Sequence, residues 1–308
     1  MKRKSFKEAS MLWEAERSKV VKPTSMAAYS LIIRNHLAPR FYWLDEITPE
    51  AVQELADQEL KSGHGITTVK GIVLVLKMIV RYCEKQGWMA VRPLDVSYPK
   101  KRKKPNPQVL DVDDERHLLS WLTSHRTLRN IGLLVCLCCG LRIGEVCALK
   151  WTDIDLPHKM VRVRRTIHRI YLSERRPHKS VLTVGLPKTE ESCREVPLID
   201  ILAAELEEVK RKTKPSPETF VISGKLRPID PQTFRNTFRS VTDELGIPPR
   251  KVHSLRHTFA TRCVESKCDL KTLSSLLGHA DIATTMNLYV HPGLEQKRRC
   301  VENMMNLF

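Results

Sequence analysis

Five short segments of this sequence carry side chains suited to handling a phosphate or moving a proton. Cys139-Gly140-Leu141-Arg142-Ile143-Gly144-Glu145 sets an arginine just after a glycine break, where a new helix would begin. Pro187-Lys188-Thr189 falls in the turn expected after a strand, with Ser192, Arg194 and Pro197-Leu198 behind it. His253-Ser254-Leu255-Arg256-His257 opens a helix, and Leu277-Gly278-His279 ends one. Ten residues after His279 comes Tyr289, followed by Val290, His291 and Pro292. Taken singly, each has a plain structural reading. Arg142 would be a surface arginine paired with Glu145, and Lys188 a solvated turn residue. His253 and His257 have the i, i+4 spacing of a metal pair, but Ser254 stands where an H-E-x-x-H motif needs its glutamate. His279 would cap a helix C-terminus, and Tyr289 would be an amphipathic core residue.

Their order changes the reading. Arginine, lysine, His-x-x-Arg-His, Gly-His and tyrosine, spread from about Val109 to Pro292, resemble the signature of tyrosine recombinases, the phage-integrase family, whose chemistry is shared with type IB topoisomerases. The most specific pieces are the H-x-L-R-H string, complete as His253 to His257, and L-G-H, complete as Leu277 to His279. The resemblance implies site-specific cleavage and rejoining of DNA through a 3′-phosphotyrosine intermediate with a free 5′-hydroxyl. Tyr289 would be the nucleophile; a phenol of reference pKa about 10 needs help losing its proton. Arg142 and Arg256 offer rigid guanidinium forks for the charge that builds on the non-bridging oxygens. Lys188 would protonate the leaving sugar oxygen, while His253, His257 and His279 relay protons or hydrogen-bond the phosphate. Glu145 is expected to orient Arg142 or a histidine. Bond energy is conserved in the covalent link, so no cofactor, ATP or metal is implied. The sequence has neither a G-x-x-x-x-G-K-[ST] loop nor paired C-x2-C clusters.

The partners implied are double-stranded DNA with inverted-repeat core sites and a homo-tetramer on two duplexes. The tetramer would be linked through the C-terminal tail, where Leu294, Val301, Met304, Met305 and Phe308 line one side. An accessory DNA-bending or directionality factor is a further expectation. The K-T-x-x-S-x-R-x-x-P-L string and the His279–Tyr289 spacing look more like integrases of mobile elements than like dimer-resolution recombinases, so a role for a mobile element or in DNA inversion is expected, with dimer resolution the alternative within the family. Three rivals stay open at this point: a non-catalytic sequence-specific DNA-binding protein, a metal-dependent nuclease, and a relaxing topoisomerase.

Composition agrees with a polyanion partner. The 308 residues carry a formal net charge of +17. Residues 1–105 hold 20 Lys/Arg against 11 Asp/Glu, and residues 106–308 hold 32 against 24, so both halves are basic. Ile131–Leu141, the longest nearly uncharged apolar run, is too short to span a bilayer, and no signal-peptide core follows the basic start. Nine cysteines without metal spacing read as structural thiols, so a cytoplasmic, nucleoid-associated protein is expected.

The positioning elements divide into an α-rich two-domain protein. Residues 1–91 read as a four-helix core-binding (SAM-like) domain. Ser5 and Glu8 suggest a capping box, after which Phe6, Ala9, Leu12 and Trp13 share a face. Ser25 would open a second helix, Thr48-Pro49-Glu50 a third, and a fourth from about Thr67 would bury Val69, Ile72, Val73, Leu76, Ile79, Val80 and Cys83. Residues 92–107 form a proline-broken linker whose Lys100, Lys101, Arg102, Lys103 and Lys104 would cross DNA phosphates rather than merely sit in solvent. Residues 108–308 read as a mixed α+β catalytic domain with a small antiparallel sheet. Its helices are expected over 111–125 and 128–139, after Leu141, and again from Asp200 apart from Phe220-Val221-Ile222, and its strands near 151–155, 160–171, 181–187 and 194–198.

Overall fold

A computed structural model of the protein describes residues 4–90, 93–99, 108–171, 180–187, 190–289, 298 and 302. The chain divides into two compact units, Met1–Lys104 with Arg169–Val181, and Pro105–His168 with Leu182–Phe308.

The first unit is built on α1 (Phe6–Arg17), α2 (Pro23–Ile32), α3 (Pro49–Lys61) and α4 (Ile66–Lys85). Half of the Ser5 capping box forms: its side-chain oxygen accepts from the Glu8 amide at 3.2 Å. Phe6, Ala9, Ser10 and Trp13 are buried, whereas Leu12 stays 42% exposed, contrary to expectation. At about 3.6 residues per turn Leu12 falls outside the arc those four residues define. The second helix starts at Pro23 rather than Ser25, because a proline at the first helical position is already shaped for the turn. It continues into a π-helical turn, Ile33–Leu37, closed by Ala38 N–H donating to Ile33 O at 2.7 Å. Thr48 caps α3 by accepting from the Ala51 amide. All seven expected positions of α4 are buried and form the centre of the first core.

The second unit contains α5 (Val112–Ser124), α6 (Leu128–Cys139), α7 (Ile143–Cys147), α8 (Asp200–Thr213), α9 (Pro231–Glu244), α10 (His253–Glu265), α11 (Leu270–Leu277) and α12 (Ile282–Tyr289). Apolar residues line nearly all of α6, which is correspondingly buried on almost every face and passes through the core. Strands β1 (Ile154–Asp155), β2 (Met160–Val163), β3 (Thr166–Tyr171), β4 (Ser180–Gly185) and β5 (Arg194–Pro197) form two antiparallel sheets. One has the order β1-β2-β5, with Val161 opposite Val196, and the other is the pair β3-β4.

Two expectations about the strands are corrected. The segment 160–171 is two strands interrupted at Arg164-Arg165, where Arg165 turns to pair with buried Asp153 at 2.5 Å. Trp151–Asp153 is a 3-10 turn rather than strand. Phe220-Val221-Ile222, expected only to interrupt the helices, is a turn with a single bridge to Lys150, its apolar side chains buried. Burial pushes the thiols of Cys138 and Cys147 up to about 12, in keeping with structural cysteines. Lys100–Lys104, Lys188 and the tail residues Leu294, Val301, Met304, Met305 and Phe308 lie outside the described residues.

Candidate active site

The site begins where α6 ends. Gly140 adopts a left-handed conformation at φ 62°, and a Cβ there would come within 2.4 Å of the Phe259 ring. The tight turn delivers Arg142 as the residue preceding α7. Glu145, one turn on, holds Arg142 twice: Oε2 accepts from the Arg142 backbone N–H at 2.9 Å and Oε1 from Nη1 at 2.7 Å. The expected Arg142–Glu145 pair therefore exists, but it is no surface pair. Glu145 is 3% exposed and also accepts from Arg194 Nη2 at 3.0 Å. Burial pushes its carboxyl up, but Arg194 and then Arg142 outweigh burial and leave it below the usual carboxylate range.

Three arginines converge on the C-terminal end of α11. Arg194 Nε donates to Leu276 O at 2.6 Å, Arg256 Nη2 to Leu277 O at 2.7 Å, and Arg142 Nη2 to Gly278 O at 2.8 Å. The last carbonyls of a helix lack intrahelical partners and form the negative end of its dipole, so three successive guanidiniums there are electrostatically favoured. Arg256, only 2% exposed, also donates from Nη1 to Gly140 O at 2.7 Å, tying the break before Arg142 to the end of α11. Gly278 turns the chain at φ 62°, and a Cβ would meet Arg194 Nη1 and Glu191 O, each at 3.0 Å.

That turn sets His279. Its Nε2 lies 2.9 Å from Arg256 Nη2 and its Nδ1 lies 2.8 Å from Thr285 Oγ1. A guanidinium can only donate, so Nε2 accepts and the proton is assigned to Nδ1, which donates to Thr285. Partial burial, followed by Arg256, Arg142 and Arg194, holds the imidazole pKa down to about 4. His253 and His257 open α10 with rings 4.5 Å apart, edge to face. His253 keeps an exposed edge, yet crowding by protein and the neighbouring His257, Arg256 and Arg142 lower it to about 4. His257 is lowered by burial and by Arg256. Among the described residues no third His, Cys, Asp or Glu joins these two at metal-binding spacing.

Arg142, Glu145, His253, Arg256, His257 and His279 are thus linked in one cluster by the contacts and electrostatic couplings above. Tyr289 is the last residue of α12 and follows Thr285 by one helical turn; its side chain, like Lys188, lies outside what the structure describes. The sequence reading assigned no role to Arg194 and passed over Thr285. Arg194 stood within the S-x-R-x-x-P-L string, so its position was visible but its contacts to Glu145 and Leu276 were not. Thr285 carried no signal beyond standing four residues before the tyrosine. Chemically, the arrangement is a socket with several fixed cations, one buried carboxylate and neutral imidazoles, suited to a phosphodiester anion.

Comparison with known proteins agrees. Residues 108–295 match the phage integrase family, and residues 5–59 match the phage integrase N-terminal SAM-like domain. A tyrosine recombinase XerC-like protein of Caldanaerobacter subterraneus subsp. tengcongensis is 28% identical over 310 residues, covering 93% of this chain and 79% of that protein. The fold is similar to that of the Tn1549 transposon integrase in complex with a circular intermediate DNA, at TM-score 0.77 and 18% identity, covering 97% of this chain and 99% of that one. It is also similar to lambda integrase in a tetramer bound to a Holliday junction, at TM-score 0.68 and 16% identity, covering 94% and 78%. With an N-terminal SAM-like domain and a helix-rich domain matched over more than half its length, the chain belongs to the phage integrase family of tyrosine recombinases.

Proposed function

We propose that this site-specific recombinase cuts one DNA strand by attack of Tyr289 on phosphorus, giving a 3′-phosphotyrosine and a free 5′-hydroxyl. Attack by a partner strand's 5′-hydroxyl then releases the tyrosine and reseals the backbone, the same exchange that type IB topoisomerases perform. The observation that carries this reading is the Leu276-Leu277-Gly278 turn. Its successive carbonyls hold Arg194, Arg256 and Arg142, and it leads directly into the helix that ends at Tyr289. Arg142 and Arg256 act on the non-bridging oxygens, with Arg142 presenting the more accessible guanidinium. Glu145 and Arg194 position that pair. His279, a neutral acceptor toward Arg256, contributes hydrogen bonding and a route for protons, together with His253 and His257. Lys188 is assigned as general acid toward the leaving 5′-oxygen.

The substrate is double-stranded DNA with inverted-repeat core sites, bound along both basic halves and the Lys100–Lys104 segment. The Tn1549 integrase is in complex with DNA, and lambda integrase is a tetramer on a Holliday junction; by analogy this chain acts as a homo-tetramer linked through its C-terminal tail. Integration for a mobile element is favoured over dimer resolution by the K-T-x-x-S-x-R-x-x-P-L string and the His279–Tyr289 spacing. Covalent trapping on a nicked suicide duplex from the DNA flanking the gene, run in EDTA on a denaturing gel, tests the chemistry. A protein–DNA band present in wild type and absent in Tyr289→Phe is expected. Clear binding with no covalent band would leave a non-catalytic DNA-binding protein.

A further inference from the structure

The first unit contains a second polar cluster that the strand-exchange chemistry does not use. His36 Nδ1 lies 2.8 Å from Glu59 Oε1, and His64 Nε2 lies 3.4 Å from Glu59 Oε2, so the two imidazoles face the two oxygens of one carboxylate. The rings stand edge to face with centroids 5.4 Å apart. One ligand-capable atom from each residue lies within 4.8 Å of the other two. Glu59 and His36 are largely enclosed, whereas the His64 side chain is 43% exposed and leaves one side open to solvent.

Backbone devices fix all three residues. His64 N–H donates to Glu59 O at 3.1 Å and Gly63 N–H to Leu60 O at 3.1 Å, the paired bonds of a Schellman motif closing α3. Gly63 sits at φ 89° to permit it. The motif that ends the helix therefore also folds His64 back over Glu59. His36 comes from the π-helical turn Ile33–Leu37, a rare local geometry that recurs at functional sites. Were the cluster only an ion pair, one histidine would suffice. Two imidazoles and one carboxylate converging on a partly open point match the three-ligand set that zinc accepts with a water as fourth ligand.

We propose that His36, Glu59 and His64 bind one divalent zinc-class cation, joining the π-helical turn to the end of α3. Zinc ligands on bonds of about 2.0–2.1 Å are spaced by roughly 3.3 Å; the two His–Glu separations, 2.8 and 3.4 Å, bracket that spacing, and the three ligand atoms lie within 4.8 Å of one another, so the ion needs the side chains to draw together. Each coordinating ring nitrogen supplies its lone pair and carries its proton on the other nitrogen. The ion replaces the His–Glu hydrogen bonds and leaves the site with one net positive charge. Its role is that of a staple in a unit whose core is almost wholly apolar, separate from the cleavage chemistry.

The test uses the full chain, stripped with EDTA and dialysed free of chelator, titrated with Zn2+ by calorimetry and with Co2+ by visible absorption. One saturable equivalent is expected in wild type, with a Co2+ d–d band of low-coordinate intensity and a urea midpoint that rises with Zn2+. His64→Gln, in an exposed turn, should keep the wild-type circular dichroism yet weaken binding by more than the roughly 10–100-fold typical of losing an outer-shell partner. The Zn2+-dependent rise of its midpoint should vanish as well. His253→Gln/His257→Gln should retain the equivalent, separating this site from the second unit's histidines. Absence of saturable binding in wild type, or an equivalent that survives His64→Gln, overturns the proposal.

Discussion

The two units spend their interiors differently. Among the described residues, the buried side chains of the first unit are apolar with the single exception of Ser10, and Leu37, Ile47, Ile72, Leu76 and Ile79 are fully enclosed. The second unit buries Glu145, Asp153, Glu205 and Arg256 alongside its apolar core, and the Arg194 side chain is 4% exposed. An apolar interior is stabilised by area removed from water, and its contacts can be exchanged at modest cost. A buried ionic network contributes little net stability but penalises the loss of any member. The second unit therefore holds its arginines in fixed positions, and is the more brittle for it.

The largest expected effect follows from breaking the arginine convergence at the proposed reacting centre. Arg142→Ala should lower the cleavage rate on a suicide duplex by at least about 10²–10³, the loss typical for one preorganised donor to a transition state. DNA binding, measured by gel shift, should change little, because the phosphates elsewhere along the duplex supply most of the affinity. Arg256→Ala should abolish cleavage too, but with a structural cost, since Gly140 O and Leu277 O would lose a buried donor. Near wild-type cutting by either variant would remove that residue from the phosphate clamp.

Next comes the contrast between the units in stability. Glu145→Gln or Arg194→Met removes one partner of a buried pair and should cost about 3–5 kcal/mol by urea denaturation. The double variant should cost less than the sum, because neither charge is then left alone. In the first unit Leu76→Ala should cost a comparable 2–5 kcal/mol, roughly, through its cavity alone, with no coupling to Glu145→Gln. Additive behaviour of Glu145 and Arg194 would mean that the buried pair is not the coupling unit the distances imply.

These differences also explain what could be read from the sequence. Apolar periodicity located α4 and all seven of its expected core positions, because a hydrophobic stripe is written directly in residue spacing. It misjudged Leu12, where four residues already completed the buried arc, and missed the π-helical turn, which has no compositional signature. For the candidate site, residue types and order picked out Arg142, Glu145, His253, Arg256, His257 and His279, which the structure brings into one cluster. They could not show that Arg194 and Arg142 share one carboxylate, since that contact joins β5 to α7 across 49 positions. Phe220-Val221-Ile222 could be set apart from the helices, but whether it is strand or turn was illegible. A run of buried apolar residues looks alike in a strand or a packed turn.

Smaller still should be Gly278→Ala. The alanine would sit at φ 62° with its Cβ against Arg194 and Glu191, costing about 1–3 kcal/mol and disturbing the carbonyls that hold the arginines. A stability loss with cleavage unchanged would show that the turn need not be fixed for chemistry. Acidification probes the same cluster without mutation. His253 and His279 have pKa values of about 4 when folded, against a reference of about 6.5. Their neutral forms therefore contribute stability that is present above pH ~6.5 and lost as pH falls toward ~4. The urea midpoint should decline across that window, and His253→Gln/His279→Gln should flatten the decline. An unchanged slope would mean that burial and the neighbouring arginines do not disfavour these protons as the geometry requires, although the exposed edge of His253 makes its share the weaker one.

The smallest effect belongs to the first unit. Ser5→Ala removes the side-chain acceptor of the Glu8 amide at the start of α1. The reciprocal half of the capping box is not formed, so the loss should sit near the middle of the usual range for a cap, about 1 kcal/mol. Measured with the rest of the chain intact, it should lower the urea midpoint slightly and leave the cleavage rate of bound suicide duplex unchanged. The reason is the same apolar economy that distinguishes this unit: fraying one helix end opens no buried charge and disturbs no network. A cleavage defect larger than the stability loss would break the comparison, because it would show that α1 transmits to the arginine cluster rather than merely completing a helical core.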